Sequence, residues 1–265
     1  MSTAAERRGT VRGTLNALSE GGPLLLGARV ARRGAEALER AADALAVAGA
    51  AKVVRRAQPA TLDEAIEFAE TFDYAGISLR PMQVTNEIRA FLELLAADPP
   101  RTLLEIGTGR GGTLFLLAQA AREDALVVSI DAPDGDASFG GRPGYKRRAR
   151  LYRSLGRPGQ RLLFLAADSH REETRAELTD VLRGRELDLL FIDGDHSRAG
   201  VEADLRMYSP LVRSGGLVAF HDIVPGDPGD VGGVPEFWQQ IRKEDSLEFV
   251  EDWEQGRWGI GVLRV

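Results

Sequence analysis

Five short apolar runs in this chain end on or beside an acid. They are LLEI with Glu105, LVVSID with Asp131, RLLFLAAD with Asp168, LDLLFID with Asp193 and GGLVAFHD with Asp222. The three histidines, His170, His196 and His221, each stand within three residues of one of those acids. Carboxylates and imidazoles gathered at one rim can move protons, hold a divalent ion or hydrogen-bond a polyol. The plainer reading is that acids and hydroxyls cap the helices that follow. It applies to Ser169 with Glu172, spaced as a capping box, and to Ser197 after the fourth run. It does not explain Asp193 and Asp222, which end apolar runs beside histidines.

Leu103 to Thr113 reads LLEIGTGRGGT, with Gly107, Gly109, Gly111 and Gly112 between an apolar run and the helical pattern LFLLAQAA. The expectation is strand, tight turn, helix. Such a turn brings backbone close to a ligand and points helix N–H groups at it. Glu105 stands just before the glycines, where its charge repels phosphate and favours cationic or hydroxyl groups. A tight turn with no ligand is one alternative. A nicotinamide dinucleotide site is another, because Gly107, Gly109 and Gly112 also satisfy G-x-G-x-x-G. Asp131 falls about one βαβ unit after the glycines, where a carboxylate accepts from ribose hydroxyls. Asp168 then falls where an adenine amino group could donate to it. Glu105, Asp131 and Asp168 would surround a nucleoside without any phosphate.

The elements that position these residues follow from patterning. The five runs are too apolar for a half-exposed sheet and fit parallel strands covered on both faces. Four of them are followed by helical patterns. After the fifth comes VPGDPGDVGG, a Gly/Pro/Asp loop, and then GGVPEFWQQIRK, a helix with Pro235 in its first turn. LEFVED and RWGIGVLRV read as a closing antiparallel hairpin with a short turn. Upstream, residues 1 to about 20 are polar, with Gly9, Gly13, Gly21 and Gly22, and read as loose. Residues 27–50 read as a helix. TLDE at Thr61–Glu64 is a capping box that opens a second helix through Phe72. A third runs from about Gln83, with Ile88, Phe91, Leu92 and Leu95 on one face, until Asp98-Pro99-Pro100 stops it.

The totals bound the function. The chain has 265 residues, of which 43% are hydrophobic and 28% charged, enough for one large α/β core with a helical extension. A net charge of −6 gives no footprint for nucleic acid. With no cysteine, disulfides and thiolate metal sites are excluded. No apolar run approaches the ~20 residues of a membrane span, and PLLLG near the start is too short for a signal segment. The expectation is a cytoplasmic protein without a membrane partner. DGDASFGGRPGYKRRARLYRSL, after Asp131, mixes glycines with a basic helix and could close over a ligand or be a solvated face.

These motifs together resemble one family. E-x-G-x-G-x-G after the first strand, an acid after the second and the closing hairpin are similar to the class I S-adenosylmethionine-dependent methyltransferases. FIDGDHSRAGVEADLRMYSPLVRSGGLVAFHDI, with GGVPEFWQQI and WGIGVL, resembles the branch of the cephalosporin hydroxylase-like proteins and the metal-dependent sugar O-methyltransferases of macrolide antibiotic biosynthesis. The resemblance covers about residues 80–265. It implies a Rossmann-like, doubly wound α/β fold with seven strands in the order 3-2-1-4-5-7-6, strand 7 antiparallel. The domains would be 1–80, an N-terminal helical extension, and 81–265, the methyltransferase domain.

The resemblance also implies a site. Glu105, Gly107, Thr108, Gly109, Gly111, Thr113, Asp131, Asp168, Ser169 and Asp193 would bind S-adenosylmethionine, with Gln83 near its methionine end. Asp193, His221 and Asp222 would hold a divalent metal. Relatives place an acid pair, or an acid with an amide, where this chain has His221-Asp222. An imidazole there suits Mn²⁺, Fe²⁺ or Zn²⁺ better than Mg²⁺. His196, three residues after Asp193, would be the general base, titrating near histidine's ordinary value, with Asp193 the second catalytic residue. His170 is assigned mainly to a helix start. The expected acceptor is a small-molecule hydroxyl, on a sugar of a natural product. The N-terminal helices would be packing surfaces for a homo-oligomer. A nicotinamide-dependent oxidoreductase and a non-catalytic cofactor-binding homologue remain open as alternatives.

Overall fold

The computed structural model describes the backbone of residues 4–133 and 145–265, and side chains outside residues 1–27 and 134–147. Seven strands form the central sheet: β1 (Thr102–Ile106), β2 (Leu126–Asp131), β3 (Arg161–Ala166), β4 (Leu187–Ile192), β5 (Val212–His221), β6 (Leu247–Phe249) and β7 (Ile260–Arg264). Their order is β3-β2-β1-β4-β5-β7-β6. The first five strands pair in parallel. β7 runs antiparallel to both β5 and β6. This is the order and the antiparallel seventh strand of the Rossmann-like methyltransferase fold.

The apolar runs at the centre of the sheet are covered on both faces, while the edge strand β3 is only partly buried. Every residue of β1 is buried. Leu104, Val128, Leu190 and Phe220 belong to one continuous core with Tyr208 and Trp238. The long runs overshoot slightly. β3 stops two residues before Asp168, β4 one before Asp193 and β5 one before Asp222. That displacement carries the acids out of the ladder and into the loops at the strand ends, where ligands bind in open parallel sheets.

The helices are α1 (Ala4–Ala57), α2 (Leu62–Thr71), α3 (Thr85–Ala97), α4 (Gly112–Ala120), α5 (Tyr145–Tyr152), α6 (Glu172–Leu182), α7 (Arg198–Tyr208), α8 (Pro228–Val231) and α9 (Val234–Ile241). Residues 1 to about 20 were read as loose, yet α1 is helical from Ala4. Alanine, leucine, arginine and glutamate between the glycines outweigh a cost of roughly 1 kcal/mol per glycine. The chain divides into two compact units, 1–46 and 47–265. In the first, residues 28–46 lie almost wholly exposed along α1, Leu38 and Leu45 included.

In the second unit one face of the end of α1 is buried, at Val47, Ala50, Ala51 and Val54, and α2 packs on α4 through Phe68 and Phe115, with ring centroids 5.5 Å apart. Thr61 caps α2 as expected, accepting from Glu64 N at 3.2 Å, while the Glu64 side chain reaches one residue further back than a capping box requires and accepts from Ala60 N at 2.7 Å. The Ser169–Glu172 box does not form. α6 starts at Glu172 with Arg171 as its N-cap and no side-chain cap. Between α2 and α3, residues 73–74 and 77–78 form a small antiparallel ladder. The strap that follows, residues 79–83, lies flush on the start of α4. A Cβ at Gly112 would stand 2.0 Å from the Leu79 carbonyl oxygen.

The closing hairpin is not joined by a short turn. Ten residues, 250–259, separate β6 from β7. They are pinned by Glu87, a buried carboxylate on α3. It accepts from the backbone N–H of Glu251 at 2.9 Å and of Gly259 at 2.9 Å, and from Gln255 Nε2 at 2.7 Å. The glycine-rich segment after Asp131 lies outside the described residues over 134–144.

Candidate active site

β1 hands the chain to α4 through the glycine turn, and the turn packs against the end of β4. Gly107 has φ +93°, and a Cβ there would lie 1.9 Å from the carbonyl oxygen of Asp193. Only glycine fits such a left-handed, crowded position. Gly107 N donates to Ile130 O at 2.9 Å, and Asp193 N donates to Ile106 O at 2.8 Å. The turn is therefore stitched to the ends of both β2 and β4.

Glu105 is fully buried at the end of β1. Ser129 donates to its Oε2 at 2.8 Å, and Thr108 hydrogen-bonds Ser129 in turn. Its Oε1 has no partner among the described residues. Burial pushes its pKa well above the usual carboxylate value. The Ser129 bond opposes this, and the charges of Asp193 and Asp131 add to it. Asp131 ends β2 and accepts from Gly109 N at 3.2 Å through Oδ2, and from Ala132 N at 2.8 Å through Oδ1. Its pKa is also raised by burial, against those backbone bonds.

Asp168 and Ser169 lie in the β3–α6 loop, next to this group in the sheet, because Ala167 N donates to Asp131 O at 3.0 Å. Gly111 and Thr113 open α4. Thr113 Oγ1 donates to Gln83 Oε1 at 2.9 Å, and Gln83 Nε2 donates to Asp193 Oδ2 at 3.3 Å. Gln83 thus bridges the glycine turn and β4 from the strap.

The other half of the site lies between β4 and β5. His221 Nδ1 lies 3.0 Å from Asp193 Oδ1 and 3.3 Å from Asp222 Oδ2. Its Nε2 is buried without a partner among the described residues. His196 approaches the same carboxylates, with Nε2 3.5 Å from Asp193 Oδ1 and Nδ1 3.5 Å from Asp222 Oδ2. His196 Nδ1 also lies 2.8 Å from the carbonyl oxygen of Asp230. A carbonyl only accepts, so Nδ1 carries the proton and Nε2 is the basic nitrogen. Asp222 sits at φ +60°, held there by Trp258 N, which donates to its Oδ1 at 3.0 Å.

Sequence reasoning gave His196 to proton transfer and His221 to a metal. The geometry brings both rings to the same two carboxylates. Asp193, His196 and Asp222 offer ligand atoms within 4.8 Å of one another. Two carboxylates with one imidazole suit a borderline divalent ion such as Mn²⁺, Fe²⁺ or Zn²⁺.

The electrostatics correct one expectation. Burial lowers the His196 pKa, but the hydrogen bond and charge of Asp193, with the charge of Asp222, outweigh it and push it up to about 9. It does not sit near 6.5. His221 is raised well above its usual value in the same way, against burial, by Asp193 and Asp222. Asp193 is held at about 2: burial raises it, and His221 and His196 more than reverse that.

Three residues of the site had no assignment from sequence. Tyr152 on α5 donates its hydroxyl to Gly109 O at 2.9 Å. Trp258 orients Asp222, as above. Asp204 on α7 is fully buried, with His170 Nε2 3.4 Å from its Oδ1. His170, immediately before the α6 N-cap, thus stands at a helix start as expected, and its buried Nε2 also faces this carboxylate. The available signal was the position of Asp204 between Val201 and Tyr208, on the apolar stripe of α7.

Residues 104–223 match the family model described as a methyltransferase domain. No curated protein matches the chain. Among solved structures, the chain is similar to the O-methyltransferase TomG from Streptomyces achromogenes, involved in tomaymycin synthesis and solved with SAM. The identity is 19% and the TM-score 0.49, over 78% of this chain and 90% of that one. It is similar also to an O-methyltransferase from Bacillus cereus solved with SAH, at 20% identity and a TM-score of 0.49, over 78% of this chain and 92% of that one.

Proposed function

We propose that this chain is an S-adenosylmethionine-dependent O-methyltransferase that acts on a hydroxyl of a small molecule, with a sugar of a natural product as the substrate class. One observation carries the reading. Inside the stretch that matches a methyltransferase domain, a glycine cradle closes on a buried carboxylate whose Oε1 has no protein partner. A buried, unpartnered carboxyl oxygen calls for a hydrogen-bonding partner from a ligand. The amino and hydroxyl groups of a nucleoside amino acid supply one without setting a phosphate's charge against the acids of the rim. Residues 81–265 would form the catalytic domain, behind an extension at 1–80. The exposed Leu38 and Leu45 of α1 support a homo-oligomer formed through that extension.

Each residue has a task in this reading. Glu105, Gly107, Thr108, Gly109, Gly111 and Thr113 cradle the cofactor, Asp131 accepts from its ribose, and Asp168 with Ser169 faces its base. S-adenosylmethionine supplies an electrophilic methyl group on sulfur. His196 Nε2 takes the proton of the acceptor hydroxyl in the molecules whose ring is neutral, a fraction that grows as pH rises toward about 9. Such a transfer contributes typically ~10²–10⁴-fold. Asp193 stabilises the imidazolium so formed, and the Asp230 carbonyl fixes the ring's tautomer. Gln83 holds the second oxygen of Asp193, so that Oδ1 stays turned toward the histidines. A divalent ion held by Asp193, Asp222 and an imidazole, His196 or His221, would acidify the hydroxyl.

Calorimetry on the purified protein tests the cofactor. S-adenosylhomocysteine should bind, and NADH should not. Tight NADH binding with no response to S-adenosylhomocysteine would favour the oxidoreductase reading. For the metal, activity should fall after chelation and return with Mn²⁺ or Mg²⁺. Full activity after exhaustive EDTA treatment, with no metal by elemental analysis, would leave the carboxylates and imidazoles acting without one.

A further inference from the structure

α7 holds the loop after β3 from two positions one turn apart. Asp204 and Tyr208, spaced i and i+4, share a helix face, and both are fully buried. Tyr208 donates its hydroxyl to Ser169 O at 2.6 Å. Asp204 Oδ1 lies 3.4 Å from His170 Nε2, and both atoms are sealed from solvent.

The same loop is built around Asp168. His170 N donates to Asp168 Oδ1 at 2.9 Å, and His170 Nδ1 lies 3.8 Å from that oxygen. Arg171 Nε lies 3.6 Å from Oδ2. Thr174 donates to the Asp168 carbonyl at 2.7 Å. The His170 ring therefore stands between two carboxylates, one buried on α7 and one exposed at the end of β3. A buried carboxylate is costly unless it is paired, so a fully buried Asp204 has a physical reason to keep that ring in place. The cluster also backs onto the catalytic loop. Asp204 Oδ2 would lie 3.8 Å from a Cβ at Gly194, one residue after Asp193.

We propose that His170 and Asp204 are positioning residues for recognition of the cofactor's base. With Tyr208 they lock the 168–170 loop on α7, so that Asp168 presents its carboxylate to the 6-amino group of adenine. This rests on the methyltransferase reading. The His170–Asp204 pair acts through Asp168 and does not touch the base.

The test is calorimetry on the full-length protein with two ligands, S-adenosylhomocysteine and its inosine counterpart, which has an oxo group in place of the 6-amino group. A site that accepts from an amino group should reject the oxo analogue by roughly tenfold or more. His170→Leu and Asp204→Asn should reduce that preference to within about threefold, and His170→Gln, which keeps a donor, should restore part of it. Asp131→Ala serves as the control. It should weaken both ligands alike and leave the ratio unchanged. If Asp204→Asn does not fold, the His170 variants carry the test. An unchanged ratio in His170→Leu, with only a lower melting temperature, would reduce the pair to an internal tether and overturn the proposal. Equal binding of both ligands by the wild type would also overturn it while leaving the methyltransferase reading intact. No binding of S-adenosylhomocysteine at all would strike at that reading instead.

Discussion

His196 sits between two carboxylates, with its Nδ1 proton directed at the Asp230 carbonyl. Its proposed work is at the acceptor, not at the nucleoside. His196→Ala should therefore lower kcat by ~10²-fold or more and leave the dissociation constant of S-adenosylhomocysteine near wild type. Retention of most of the turnover would move the base to another group. Asp204 gives a prediction of a different kind. Burial raises its carboxyl, against Ser169 and His170 and with help from the charge of Asp195, to about 6. An unfolded aspartate titrates near ~3.9. Between those values the folded protein keeps a proton that the unfolded chain has lost. Stability must then fall as pH rises from about 4 to about 6, and level off above. Two pH units correspond to at most about 3 kcal/mol. Subtracting the denaturation profile of Asp204→Asn from that of the wild type should isolate this slope. A difference that is flat across the window would mean that Asp204 is ionised throughout.

At the scale of elements, the strap and the start of α4 behave as one piece, because no side chain fits between them. Gly112→Ala places a Cβ against the Leu79 carbonyl. It should cost about 1–3 kcal/mol and loosen the cofactor site through Gln83. Gly34→Ala has nothing within 4 Å and should instead gain up to about 1 kcal/mol of helix. Chemical denaturation of the two variants gives the comparison, and equal signs would refute the packing argument. This contrast also explains what the sequence could reveal. β1, β2 and β4 were legible because parallel strands buried on both faces must be apolar throughout, and the glycine turn because its residue types are so restricted. The ten-residue loop before β7 was not legible, since its geometry depends on Glu87, more than 160 positions upstream. The sharing of Asp193 and Asp222 by His196 and His221 was hidden for the same reason. Spacing along one chain placed each ring near a strand end, but which carboxylate it meets is decided by the register of β4 on β5. Asp204 was hidden differently. It shares α7 with the exposed Glu202 and reads as surface unless its place on the stripe with Val201 and Tyr208 is given weight.

For the molecule as a whole, the division at residue 46 separates the first part of α1, almost wholly exposed over residues 28–46, from everything that carries the site. A chain of residues 47–265 should fold, bind S-adenosylhomocysteine with an affinity like that of the full chain, and melt within a few degrees of it. Circular dichroism and calorimetry would check this. Loss of cofactor binding on truncation would mean that the extension takes part in the site. Sedimentation of both forms would show whether α1 brings copies together. Among the described residues, no helix is long and apolar enough to cross a membrane. The strap has a last consequence. Gln83 joins Thr113 to Asp193 across the mouth of the glycine cradle, so a ligand that enters there must part those hydrogen bonds or slip beneath them. Displacement of Gln83 by a ligand would be felt along residues 79–83, and local opening of such a segment is read by amide hydrogen exchange. The strap's amides should exchange quickly in the empty protein and slow together once the cradle is filled, which makes this short segment a built-in reporter of occupancy.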